Sequence, residues 1–251
     1  MITDFFFFAC APGCVGIFIL AFIPSFIWLV FFWLQDKHRE SKGIIMRIFF
    51  WGFFIAIPIV LAETIAENYL GTFFAELSLF WLFGFLAIAL VEEAGKYLVV
   101  YAKAIPLRAF NEPQDAIIYM ITAALGFAAI ENFFYALNVY ENGFSASLLS
   151  LGGRFLTATP LHVIASGIFG YFLALSLFSP KPRHGLIVLG LVIATALHGF
   201  YNHFIIQAGE ISQIRNLPFI SILILIQGGA VLLVLYWHLR SRPPTADNIK
   251  N

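Results

Sequence analysis

Residues 79–101 read LFWLFGFLAIALVEEAGKYLVVY. The twelve residues from Leu79 to Leu90 and the five from Tyr97 to Tyr101 are built for lipid, and about 20 such residues span a bilayer as a helix. Into this stretch the chain places Glu92, Glu93 and Lys96. An ionisable side chain near the bilayer centre costs roughly 2.5–3.5 kcal/mol even on the lenient insertion scales. Three in little more than one helical turn need partners inside the protein, and such groups mark functional sites in membrane bundles.

The rest of the composition agrees with a membrane class. Of 251 residues, 61% are hydrophobic and 11% charged, and the mean hydropathy is +0.91; a soluble domain carries about 25% charged residues. Apolar windows predict an all-α, polytopic membrane bundle of seven transmembrane helices, at 5–34, 44–62, 77–101, 116–140, 154–178, 185–207 and 217–239. No soluble domain or low-complexity tract interrupts it, so residues 1–251 read as one domain. With 14 Lys and Arg against 14 Asp and Glu, no basic surplus points to nucleic acid. Cys10 and Cys14 are four apart near the N-terminus and are expected to be bland. Met1–Asp4 has no basic segment, so no cleavable signal is expected.

Basic residues orient the bundle. Lys37, Arg39, Lys42 and Arg47 flank the first loop, Lys103 and Arg108 the third, and Lys181 and Arg183 the fifth. Arg240, Arg242 and Lys250 lie in the tail. The second loop has Glu63, Glu67 and Glu76 but no cation, the fourth has only Arg154 and the sixth only Arg215. The excess of Lys and Arg in cytoplasmic loops then predicts the N-terminus outside and the C-terminus in the cytoplasm.

Polar residues inside the spans fall at few places. Glu92 and Lys96 are four apart on one helical face, and Glu93 points about 100° away. The fourth span carries Glu131 and Asn132, the fifth His162, and the sixth His198 and Asn202, again four apart. At about 1.5 Å per residue, Glu131, His162 and His198 lie about 12–14 Å below the outer surface and the glutamate pair about 23 Å below it. Glu63, Glu67, Glu76 and Glu112 are expected at loops or interfaces, His38, His184 and His238 at membrane edges, and His203 turned away from His198.

Carboxylates and imidazoles at related depths suit hydrolysis in two ways. Glu and His ligands hold zinc, whose bound water is nucleophilic near neutral pH. Alternatively, a buried Glu is general base on water while imidazole or Asn stabilises the oxyanion. Either chemistry requires Glu92 or Glu93, Glu131, His162 and His198 to converge within about 8 Å of a common point. A non-catalytic module, such as a scaffolding subunit or a proton-coupled transporter, is the alternative; a transporter's proton relay would string ionisable groups from face to face.

Four motifs in order also resemble the PrsW family of intramembrane proteases, grouped with the prenyl-protein (CAAX) proteases and bacteriocin-processing homologues. They are Glu92-Glu93-Ala-Gly-Lys96; Gly126-Phe127-Ala-Ala-Ile-Glu131-Asn132, preceded by Asp115-Ala-Ile-Ile-Tyr119; Pro160-Leu-His162; and His198-Gly-Phe-Tyr-Asn202. The similarity covers about residues 77–207. Ala116 departs from the glycine expected there, at no catalytic position. The resemblance implies site-1 cleavage of a single-span membrane protein, typically an anti-sigma factor, from the extracytoplasmic side of a bacterial inner membrane. It implies either a zinc enzyme or a glutamate-dependent one. The residues assigned are Glu92 and Glu93 as base and support, and Glu131, His162 and His198 as zinc ligands or carbonyl polarisers. Asn132 is a supporting residue, Asn202 an oxyanion donor or a partner orienting His198, and Lys96 the cation that keeps a glutamate ionised.

Overall fold

The computed structural model describes residues 12–36, 38–76, 84–179, 183–210 and 217–241. Every regular element among them is helical, as lipid requires of a backbone that must satisfy its own polar groups. In chain order these are α1 (Pro12–Gln35), α2 (Lys42–Glu76), a π-helical turn (Gly84–Ala89) leading into α3 (Leu90–Lys103), and α4 (Pro113–Asn138). After a short 3-10 turn (Tyr140–Asn142) come α5 (Phe144–Leu156), α6 (Ala158–Leu177), α7 (His184–Glu210) and α8 (Leu217–Arg240). Six stretches are long and apolar enough to cross a membrane: Val15–Gln35, Lys42–Glu67, Pro113–Asn138, Phe144–Leu177, His184–Ile205 and Phe219–Arg240. They correspond to six of the seven expected spans. The remaining one is represented by the π turn and α3; residues 77–83, Cys10, Lys37, Lys181, Arg215, Arg242 and Lys250 lie outside the described residues.

Helix α4 is the axis of the bundle. Pro113 occupies its first turn, where no amide donor is needed. Asp115 closes a capping box, its Oδ2 accepting from the backbone N–H of Glu112 at 2.7 Å and of Asn111 at 2.8 Å. Nearly all of α4 from Pro113 to Ile130 is buried, and α1, α2, α3, α5 and α6 pack around it. Three glycines let backbones touch. A Cβ on Gly52 of α2 would collide with the Ala123 carbonyl, and one on Gly126 of α4 with the Phe49 carbonyl. A Cβ on Gly170 of α6 would lie 2.7 Å from the Ala116 oxygen and the Ile117 Cα. Close approach through small residues is the usual basis of helix association in lipid, where dispersion must replace the hydrophobic effect.

Two expectations are corrected. The second span does not stop at residue 62. No Pro or Gly interrupts 63–70, so α2 continues through Glu63 and Glu67 to Glu76, 35 residues in all. The fifth span is not one helix from residue 154. Pro160 lacks an amide proton and its ring would strike the Leu156 carbonyl, so the helix breaks at Thr157 (φ −127°, ψ −77°) and restarts at Ala158. Before the break, α5 crosses α4 steeply. Thr159 meets Asn132 and Ser147 meets Ala136, so about 18 Å of chain climbs only about 6 Å of α4.

Overpacking at a backbone contact cannot be relieved by a rotamer change. Gly126→Leu is therefore expected to destabilise the detergent-solubilised protein by at least about 1–3 kcal/mol, read as a lowered Tm. Gly152→Ala, on α5 with nothing within 4 Å, is expected to leave Tm unchanged.

Candidate active site

Helix α3 supplies the core of the site. Glu92, Glu93 and Lys96 are all buried. The two glutamates diverge around the helix, yet Lys96 stands four residues from one and three from the other, so a single ammonium reaches both. Its Nζ donates to Glu92 Oε2 at 3.1 Å and to Glu93 Oε1 at 2.7 Å. The third proton goes to His162 Nδ1 of α6 at 2.9 Å, which uses all the donors an ammonium has. The Phe127 ring of α4 closes this cation from another side, its centroid 4.6 Å away.

Because Lys96 only donates, His162 Nδ1 accepts, and the ring proton sits on Nε2. That Nε2–H donates to Glu131 Oε2 of α4 at 2.6 Å. His198 of α7 has the same arrangement: its Nδ1 lies 3.0 Å from Glu93 Oε1. Each imidazole thus has a carboxylate behind it and turns its other nitrogen toward Glu92. His162 Nδ1 is 3.7 Å and His198 Nε2 3.9 Å from Glu92 Oε2, with the two rings edge to face at 5.0 Å. Glu93 commits both oxygens, since Oε2 accepts from Ser166 Oγ at 2.7 Å. Glu92 Oε1 has no hydrogen bond among the described residues.

The expected convergence is present, with a different grouping. Glu131, His162 and His198 were the metal trio expected from sequence. The donors that come within 4.8 Å of one another belong instead to Glu92, Glu93, His162 and His198, and Glu131 stands behind His162. Two carboxylates and two imidazoles are a donor set that suits zinc. The surrounding charge also leaves room for a cation: Glu92, Glu93 and Glu131 face only Lys96 and Arg154 in these contacts. Three of the four, Glu92, Glu93 and His162, are bonded to the Lys96 ammonium, so an ion held by them must displace it.

Among the supporting residues, Asn132 Nδ2 donates to Thr159 Oγ1 at 3.3 Å, joining α4 to the start of α6. Asn202 is half-buried and makes no hydrogen bond among the described residues, one turn from His198. His203 packs on Phe204 at 5.5 Å, away from the cluster as expected. His38 pairs with Glu112 at 2.7 Å at the loop-bearing end of α1 and α4.

Three residues were missed. Ser166 is four residues after His162 on one face, a spacing that could have revealed it. Arg154 had been taken for a loop cation; its Nη2 lies 3.0 Å from Glu131 Oε2 and its Nε donates to Asn132 Oδ1 at 2.6 Å. Glu63 had been assigned to a loop or interface. Lys103 lies over Trp51 at 4.1 Å and Gly95 abuts Ile59, an antiparallel register that sets Glu63 opposite Val91 and Glu92. Its Oε1 is buried with no hydrogen-bond partner among the described residues.

Comparison with known proteins gives this arrangement a family. "Protease PrsW" of Geobacillus kaustophilus (strain HTA426) is 30% identical over 182 residues, covering 71% of this chain and 75% of that protein. "Protease PrsW" of Bacillus subtilis (strain 168) is 29% identical over 206 residues, 80% of this chain and 87% of that protein. The protein of that name in Clostridioides difficile (strain 630) is 29% identical over 194 residues, 75% and 78% of the two chains. No solved structure matches. Residues 40–234 match the PrsW family intramembrane metalloprotease description, and the chain belongs to that family: it is an integral-membrane protease.

Proposed function

We propose that this protease cleaves a single-span membrane protein of the anti-sigma-factor kind, as a site-1 enzyme acting from the outer side of a bacterial inner membrane. The observation that supports this most is the buried set of Glu92, Glu93, His162 and His198, whose donor atoms lie within 4.8 Å of one another. A relay across the membrane would spread such groups along the bundle, whereas these lie at one level.

In this reading Glu92 is the general base. Its Oε1 makes no hydrogen bond among the described residues, while Glu93 is held by Lys96, His198 and Ser166 and acts as support. Lys96 bonds both glutamates and offsets their charge. Glu131 and Glu93 hold the two imidazoles so that their remaining nitrogens face Glu92, where water and the scissile carbonyl would meet. Asn202, with no hydrogen bond among the described residues, is the donor available to the oxyanion. If zinc is bound, Glu92, His162 and His198 would hold it, and it would supply a water ionised near neutral pH. Orientation follows the basic residues, with the tail after Arg240 cytoplasmic.

Glu92→Gln removes the charge and keeps the shape, so turnover of a reconstituted single-span substrate is expected to fall at least about 100-fold. Glu93→Gln, which loosens support, is expected to lose about 10- to 100-fold. Normal turnover by both variants would remove the assignment of the site.

Lys96→Met leaves the cluster's acceptors without their cation while conserving volume. Zinc is expected to raise the Tm of Lys96→Met and to be retained by it on dialysis more than by the parent protein. If neither protein takes up zinc, the glutamate-base form stands alone.

For orientation, single cysteines placed at Ser241 and at Asn142 of a variant without Cys10 and Cys14 should label differently. In intact cells an impermeant thiol reagent is expected to modify the one at 142 and to spare the one at 241. The reverse pattern would place the site's nearer face on the cytoplasmic side.

A further inference from the structure

We infer that Arg154 is a positioning residue for the reaction, acting through Glu131 on His162. This deepens the protease reading and rests on it.

The geometry begins at Thr157. The break forced by Pro160 turns α5 across α4 and brings Arg154 back onto three α4 residues that share a face, at 131, 132 and 135. Its Nη2 stands 3.0 Å from Glu131 Oε2. Its Nε donates to Asn132 Oδ1 at 2.6 Å, and Asn132 in turn donates to Thr159 at the start of α6. The guanidinium lies over the Tyr135 ring, 4.1 Å from its centroid. A planar fork hydrogen-bonded at Nε, stacked on one face and ion-paired to Glu131 through an Nη2 that makes no hydrogen bond among the described residues has little freedom left.

What this fixes is one oxygen. Glu131 Oε2 faces both Arg154 and His162 Nε2. Held by the arginine, it marks the place from which the imidazole is aimed, and His162 Nδ1 is thereby turned to Lys96 and Glu92. Without the guanidinium, the Glu131 carboxylate is free to rotate away, and the ring loses the acceptor that sets its plane. Arg154 touches none of Glu92, Glu93, Lys96 or His198 in these contacts, so its influence on them passes through Glu131.

A double-mutant cycle on the full-length protein in liposomes, with a single-span reporter substrate, tests this. Arg154→Met is expected to lower kcat by about 10- to 100-fold with KM changed less than about threefold. In a Glu131→Gln background the same substitution is expected to change kcat by less than about twofold, because the route is already cut. Arg154→Lys, which can meet Glu131 but not Asn132 as well, should fold and fall between the two. Equal losses in both backgrounds, a loss confined to KM, or an unchanged kcat overturns the proposal. Glu92→Gln and Glu93→Gln measured alongside separate the two levels: if both are fully active, the protease site itself is misassigned, whereas if they are impaired and Arg154→Met is normal, only the arginine's role falls.

Discussion

One ammonium organises this protein. Lys96 Nζ sits within 3.1 Å of Glu92, Glu93 and His162 in a chain otherwise fit for lipid. Removing two carboxylates and an ammonium from water costs several kcal/mol for each ion, and their attraction repays this only when every proton and lone pair is well placed. Here the lysine has no donor left over, and Glu93 has no oxygen left over. A helix bearing three such charges cannot face lipid. It must dock where α6 brings His162 and Ser166 and α7 brings His198, so the cluster helps dictate the packing that surrounds it.

The packing around α4 makes the docking possible. Gly52, Gly126 and Gly170 bring α2, α4 and α6 to backbone contact, which sets the depth of Glu131 and His162 relative to α3 with little slack. The imidazoles are then held from behind by carboxylates and present one nitrogen each to the same point. That is the preorganisation hydrolysis needs: groups already oriented before the substrate arrives. It also has a cost, since Glu63 brings a further carboxylate to the level of Glu92 with one oxygen unpartnered among the described residues. A buried acceptor without a donor is a destabilising feature kept at a site rather than at a random position.

Much of this was legible in the sequence, for physical reasons. Apolar runs of about 20 residues have one meaning in a chain with 11% charged residues, so the helices could be placed. Charges inside those runs are expensive, so Glu92, Glu93, Lys96, Glu131, His162 and His198 stood out, and their related depths pointed to one site. What depth could not give was direction. That Glu131 stands behind His162, and Glu92 in front, depends on the rotation of α4 against α6, which only the glycine contacts fix. Arg154 was hidden because the fifth span was read as a straight helix starting there. Pro160 held the evidence for the break, but a proline early in a predicted helix reads as a tolerated start. Glu63 was hidden by assigning the end of α2 from hydropathy, although helix propensity continues well past the apolar run.

The central claim is that the buried cluster hydrolyses a peptide bond at its own depth in the membrane. Mass spectrometry of the fragments from a pure reconstituted reaction in 18O-labelled water tests it most directly. The account predicts one 18O atom in the new carboxyl terminus, at a bond between the outer half and the middle of the substrate's span. Fragments without the label, or a cut confined to the substrate's soluble segments, would contradict it.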